Sequence, residues 1–363
     1  MKTLACLLTL LITVHSAHAL ETDQYMVWGN ELKDSTAVLN QYYNDNFKRA
    51  VERINADPKL QALSCQDATV EVLKEYHAFW WGERLENWIL DNSDIQKIPE
   101  YSSMTRLEAI GQSIYRDVFK FKFKIFGFNI KIGGVNLGID KMGHLSSVGL
   151  SYYQRYLKYS SKLKQTNDHI LQDLREFEHS NSSATGENNK FLKNPNLAAV
   201  DKVIGWGIYM ENWGWGYAVS DTFSYADLEA NYQGFLLALN FCQGDNPYMK
   251  KEDGVLKINS ERPIDLSEYI NPSYDESYNP SHYQKRIFKK IRPHLEKYCD
   301  LRNSPEVLSL FNSYDQQMQK NGESYSQQYT TFLRSNKKSS HSKKYFLNSP
   351  ERSKQTLDFV CRH

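Results

Sequence analysis

Apolar residues recur at helical intervals over most of this chain, and they alternate strictly in only one short stretch. After Asp34-Ser35, which can cap a helix, Val38, Leu39, Tyr42, Tyr43, Phe47, Val51 and Ile54 share one face, and Asp57-Pro58 ends the run. Ser64 caps a second helix with Val70, Leu73, Tyr76, Trp80, Leu85 and Trp88 inside, and a short third one covers 104–116. His77, Trp80, Trp81 and Glu83 lie close together on the second, and they read as aromatic core with a solvated edge rather than as a ligand box. The alternating stretch is Phe119-Lys-Phe121-Lys-Phe123-Lys-Ile125. Its phase slips at Phe126-Gly127 and resumes with Phe128, Ile130 and Ile132, which predicts a turn or bulge between two strands. That hairpin is expected to lie on the helices, the sharper alternative being a lysine-rich contact with an anionic membrane. Gly133-Gly134 is expected to end it.

Helices are predicted next over 140–161 and 168–178, followed by a loop rich in Asn, Ser and Gly over 180–196 that holds the sequon Asn181-Ser-Ser183. A central helix covers 197–219. Another starts at a Ser224 cap and ends near Cys242. The stretch 244–279 is irregular apart from a hairpin at Glu252-Asp253-Gly254. A helix over 281–301 turns Tyr283, Ile287, Ile291, Leu295 and Tyr298 inward, and a shorter helix follows Pro305. The pattern therefore predicts a mainly α fold: a helical domain over 20–319 with a small antiparallel β-hairpin element and an irregular C-terminal region. Residues 320–363 carry nine Lys/Arg against three Asp/Glu, which predicts a basic, partly flexible tail.

Composition adds a compartment. Lys2, the apolar run Leu4 to Val14 and Ala17-His-Ala19 have the three parts of a secretory signal, so 1–19 is expected to be removed after Ala19 and the protein secreted or periplasmic. The formal charge of the 363-residue chain is +1, which predicts no nucleic-acid partner. No later apolar run reaches the length of a transmembrane span, leaving peripheral contact with envelope components as the expected membrane relation. Cys65, Cys242, Cys299 and Cys361 then remain, an even count that predicts two disulfides with three pairings open. Cys361 implies that the tail is pinned near its end.

The chemistry-bearing residues concentrate in a motif core, 138–241. Asp140 and His144 are four residues apart, as are Asp227 and Asn231, so each pair stacks on one helix face among apolar neighbours. Glu211 lies on the central helix with Gly205, Gly207, Gly214 and Gly216, and four glycines predict something packed against its backbone. A buried carboxylate there needs a cation, a metal, a donor or a proton. The expected centre therefore holds Asp140, His144, Glu211 and Asp227, with Asn231 beside them and Lys141 or Ser224 at the margin. Asp275-Glu276, in the irregular stretch, reads as solvated or calcium-tolerant surface with no catalytic role.

Asp140-Lys141-x-x-His144, then Glu211, then Ser224-x-x-Asp227-Leu-x-Ala-Asn231-x-x-Gly234 resembles the motif series of bacterial VanZ-like and related periplasmic proteins. Two departures stand out: Gly214 replaces the family's Gln, and no apolar span accompanies the motifs. The resemblance implies a site and little about its chemistry.

Two functions follow as expectations. In one, the chain is an exported, metal-assisted hydrolase-type enzyme, with Asp140, His144, Glu211 and Asp227 as catalytic residues or as ligands to one divalent ion, and His or Glu as general base. In the other it is a non-catalytic structural or binding protein of the envelope, and the same residues form a satisfied hydrogen-bond network. The chain has no HExxH, GxSxG, P-loop or dinucleotide fingerprint.

Overall fold

A computed structural model describes residues 21–77, 84–100, 105–118, 127–165, 169–180, 195–214, 216, 221–335 and 354–363. The fold is mainly α, with three two-stranded antiparallel sheets among the described residues. Helix α1, Thr36–Ala56, begins where expected: Asp34 accepts from the Thr36 amide, and the helix stops at Asp57 before Pro58. The predicted second helix is two elements, α2 (Cys65–Leu73), capped by Ser64, and α3 (Arg84–Asp91). Trp80, Trp81 and Glu83 lie outside the described residues, while His77 meets the Ser147 hydroxyl at 2.7 Å. Helix α4, Arg106–Gln112, starts in a Thr105/Glu108 capping box.

The hairpin differs from expectation. Phe119 to Ile125 lies outside the described residues, and the pairing observed is β1 (Asn129–Ile132) with β2 (Val135–Gly138). Gly133-Gly134 forms its turn rather than its end, because both residues take positive φ, 58° and 79°, as a tight two-residue turn requires. Both strands are largely buried, so alternation was absent from Val135 to Gly138 and the second strand was unreadable.

The hairpin delivers the chain into the long helix α5. Its three parts, Asp140–Gly143, a π-helical turn His144–Val148, and Gly149–Leu163, run end to end. Helices α6 (Ile170–Ser180) and α7 (Ala198–Trp213) follow. Strand β3, Thr222–Phe223, precedes α8, Tyr225–Asn240, in which every residue from Ala226 to Phe235 is buried. Helices α5 and α8 cross at two glycines: a Cβ on Gly149 would stand 2.7 Å from the Gly234 backbone. Only glycine permits that backbone contact, and it sets the Asp140/His144 face against the Asp227/Asn231 face.

The expected 252–254 hairpin is β4 (Met249–Glu252) with β5 (Val255–Ile258). Residues 282–283, read as helix, instead form β6 (His282–Tyr283), which pairs with β3 and holds the start of α8 beside the start of α9, Lys285–Leu295. Helix α10 runs from Pro305 to Asn321 behind a Ser304 cap and is longer than predicted. The region expected as a tail contains packed structure. Helix α11, Tyr325–Ser335, buries Tyr325, Tyr329, Phe332 and Leu333, and α12, Leu357–Arg362, buries Leu357 and Val360. A charge excess described the exposed positions and hid the apolar ones between them.

One large apolar cluster is centred on α1, α5, α7 and α8, and a second joins Tyr25, Trp28, α9 and α12. Two disulfides clamp these layers, Cys65–Cys242 from α2 to the end of α8, and Cys299–Cys361 from behind α9 to α12. No helix among the described residues is long and apolar enough to cross a membrane.

Candidate functional site

At the α5/α8 crossing every predicted residue of the centre meets, and a lysine stands in the middle. Lys141 is fully buried, and its Nζ lies 2.5 Å from Asp140 Oδ2, 2.6 Å from Asp227 Oδ1 and 2.9 Å from Glu276 Oε1. It was expected at the margin. It is central because Asp140 opens α5 right at the hairpin exit, so the next side chain points into the α8 interface together with it.

His144, one turn on, has Nδ1 2.9 Å from Asn231 Oδ1 and Nε2 3.2 Å from Asp227 Oδ2. With an amide oxygen on one side and a carboxylate on the other, the arrangement is satisfied when both ring nitrogens donate, that is, by an imidazolium. Burial alone would lower its pKa. The Asp227 carboxylate more than reverses that and raises it to about 10. For Asp227, burial works upward, and His144 and Lys141 overcome it to hold the carboxyl well below its ordinary range. The Lys141 ammonium is likewise opposed by burial and kept, well above its usual pKa, by Asp140, Asp227 and Glu276.

Ser224 ties in the other two acids. As N-cap of α8, its hydroxyl oxygen accepts from the Asp227 amide at 3.1 Å while its proton goes to Glu276 Oε1 at 2.6 Å. Its own amide donates to Glu211 Oε1 at 3.0 Å. Glu211 is buried against the Gly216 backbone, and Gly207 is overlain by the Tyr152 side chain, which accounts for two of the glycines in this stretch. Burial, then the charge of Asp227, pushes Glu211 up to about 8 against the pull of His144 and Ser224. Glu276 is raised as well: burial leads, Lys141 pulls back, and Asp227 and Asp140 push up again. Two cations thus face four carboxyl groups, and a proton held on Glu211 offsets part of the excess negative charge.

Two contributors were missed. Asp275 and Glu276, read as solvated, are both buried, at 1% and 4% exposure. The tyrosines around them, Tyr274 and Tyr278, were the signal that this Pro- and Asn-rich stretch is packed rather than wet. The second is the segment from Glu21 to Trp28. Thr22 Oγ1 donates to Asp140 Oδ1 at 2.9 Å, and Gln24 Oε1 accepts from the Glu276 amide while its Nε2 donates to the Tyr274 carbonyl at 3.2 Å. Nothing in the neighbouring residues marks this segment, because the partner of Thr22 lies 118 positions away and that of Gln24 lies 250.

The donor set does not suit a divalent ion. Where three of the carboxylates converge, the Lys141 ammonium already stands, and His144 has no lone pair to give. Among the described residues no three His, Cys, Asp or Glu side chains are grouped so as to hold a metal. The same geometry leaves Ser224 as a cap, with its proton on a carboxylate. Comparison with protein-family models, with curated proteins and with solved structures found no match to this chain.

Proposed function

We propose that the chain is an exported, non-catalytic protein whose charged centre is an internal lock, joining α5, α8, the Glu276 loop and the segment after the leader. The observation that carries this reading is the saturation of the two cations. Lys141 faces three carboxylates within 2.9 Å, and both nitrogens of His144 face acceptors, so neither is available as a base or as a cation for a substrate. Export is supported by the two disulfides and by the signal-like residues 1–19, with cleavage after Ala19. The test is Lys141→Met. A lock should lose about 3–5 kcal/mol, the usual result of leaving buried carboxylates without their cation. The wild type should show no bound metal by elemental analysis and no loss of stability with a chelator. A Lys141→Met protein as stable as wild type, or a stoichiometric ion lost on chelation, would overturn the reading.

A hydrolase-type enzyme is the second reading, and one observation favours it. His144 and Asp227 are the least buried members of the centre, at 8% and 7% side-chain exposure, and Glu211 behind them keeps a proton near neutral pH. Under that reading His144→Gln would keep wild-type stability while abolishing turnover of a substrate found by screening. Under the lock reading it loses stability.

A further inference from the structure

Helix α9 carries a cationic face that nothing in the fold requires. Its apolar side is already buried through Ile287, Ile291 and Leu295 against the cluster that holds Tyr25 and α12. Lys285, Arg286, Lys289 and Lys290 are exposed, Arg292 is half-buried, and Lys297 lies just beyond the helix. The acids facing this surface are few. Arg286 meets Asp221 at 2.5 Å, Arg292 meets Glu296 at 3.4 Å, and His294 meets Asp117 at 2.7 Å. Lys290 and Lys297 donate to the backbone carbonyls of Asp117 and Gln112. Among the described residues Lys285 and Lys289 have no ionic partner.

The placement also runs against helix stability. Lys285 and Arg286 occupy the first turn, which contains no acid, and the helix macrodipole disfavours cations at that end. A sequence serving only this helix would put Asp or Glu there. The whole chain is close to neutral, so the face is a local concentration of charge rather than part of a general excess.

We propose that this face docks the protein onto a membrane surface rich in anionic phospholipid. Clusters of four to eight Lys or Arg on one helix face suit such a surface. With its apolar side buried, α9 offers charge and no insertion, which implies reversible contact that weakens with salt. The proposal rests on the export reading only for which membrane is met; the binding itself is a property of the folded chain.

The test is co-sedimentation of the processed, disulfide-intact protein with phosphatidylcholine vesicles, with and without a phosphatidylglycerol fraction. Binding should require phosphatidylglycerol and fall as sodium chloride is raised. Replacing Lys285→Glu and Lys289→Glu together should weaken it at least roughly twentyfold, at about a fivefold loss for each lysine charge removed and a further loss from the two negative charges added. Both positions are exposed and acids suit the first turns, so the variant should fold, as its thermal transition will report. A control, Lys48→Glu with Lys250→Glu, makes the same change in net charge on other exposed positions and should bind almost as wild type. Equal binding to phosphatidylcholine alone, or equal loss in both variants, would overturn the proposal. Release by inorganic phosphate, where chloride of matched ionic strength releases nothing, would also overturn it by revealing a discrete phosphate site. N-terminal sequencing of exported material tests the export reading separately.

Discussion

Lys141 and Glu211 respond to opposite demands inside the same centre, and their variants should differ accordingly. Lys141 is a charge the surroundings require, so its removal is costly. Glu211 is a carboxyl the surroundings would keep protonated, so Glu211→Gln should change stability little at pH 6, by about 1 kcal/mol or less. The pH dependence gives the sharper comparison. A carboxyl whose folded pKa is raised from 4.5 to about 8 favours folding below the lower value and loses that contribution as pH rises through the upper one. His144, raised from 6.5 to about 10, loses its contribution over that higher window. Thermal unfolding should therefore show wild-type stability falling from pH 5 towards 10. Glu211→Gln should flatten the fall below pH 8, and His144→Gln the part above pH 7. Asp227, held low, acts in the other direction and should produce a separate loss of stability as the medium is made strongly acidic. At this scale the sequence was informative where two members of the centre share a helix face, as Asp140 and His144 do, and Asp227 and Asn231. It was silent where a partner arrives from elsewhere, as Thr22 does to Asp140.

Between elements, the α5/α8 crossing is the least tolerant contact. A Cβ on Gly234 would run into the Leu145 carbonyl and come within 3.0 Å of Gly149 Cα. These are backbone atoms and cannot rotate away. Gly234→Ala should therefore destabilise by about 3 kcal/mol or more in chemical denaturation and scatter the charged centre. The far disulfide makes a different kind of contact. Removing Cys299–Cys361, which spans 62 residues, should cost about 2–5 kcal/mol, and limited proteolysis should then cut preferentially around α12. Helix starts followed from the expected caps at Ser64 and Ser224, each of which receives the amide three residues on, while Thr105 and Ser304 do the same without having been read as caps. Short strands did not follow, because His282-Tyr283 is too brief to alternate and its pairing with Thr222-Phe223 is a tertiary event. Helix α11 was masked by its own composition. Its inward tyrosines and Phe332 are separated by polar residues, and the basic neighbours dominated the reading.

For the whole molecule, the centre lies at the buried α5/α8 crossing within the larger apolar cluster, and the charged surface of α9 lies over the smaller one, with one disulfide in each. Mass measurement after alkylation without reductant should find all four of Cys65, Cys242, Cys299 and Cys361 blocked, and peptide mapping should return the two pairings described. Any other pairing would contradict the arrangement of α2 against α8. The general architecture was legible because helices declare themselves locally. What joins them was less so, since each long-range contact at the centre depends on several elements being in place at once.

Consider the order in which the chain is made. The residues from Glu21 to Gln24 are made long before their partners, for Gln24 meets Tyr274 and Glu276, and Trp28 Nε1 donates to Ser277. Roughly 250 residues must therefore be synthesised before this segment can settle. Closing so long a loop is entropically slow, and until then an aspartate, two aromatic rings and an unsatisfied Asp140 stay open to solvent. Residues 21–28 are thus among the last of the described residues to settle. Under the export reading, this late closure would leave the chain open enough to be threaded through a translocation channel, with the proposed lock forming only once residues 274–277 have arrived.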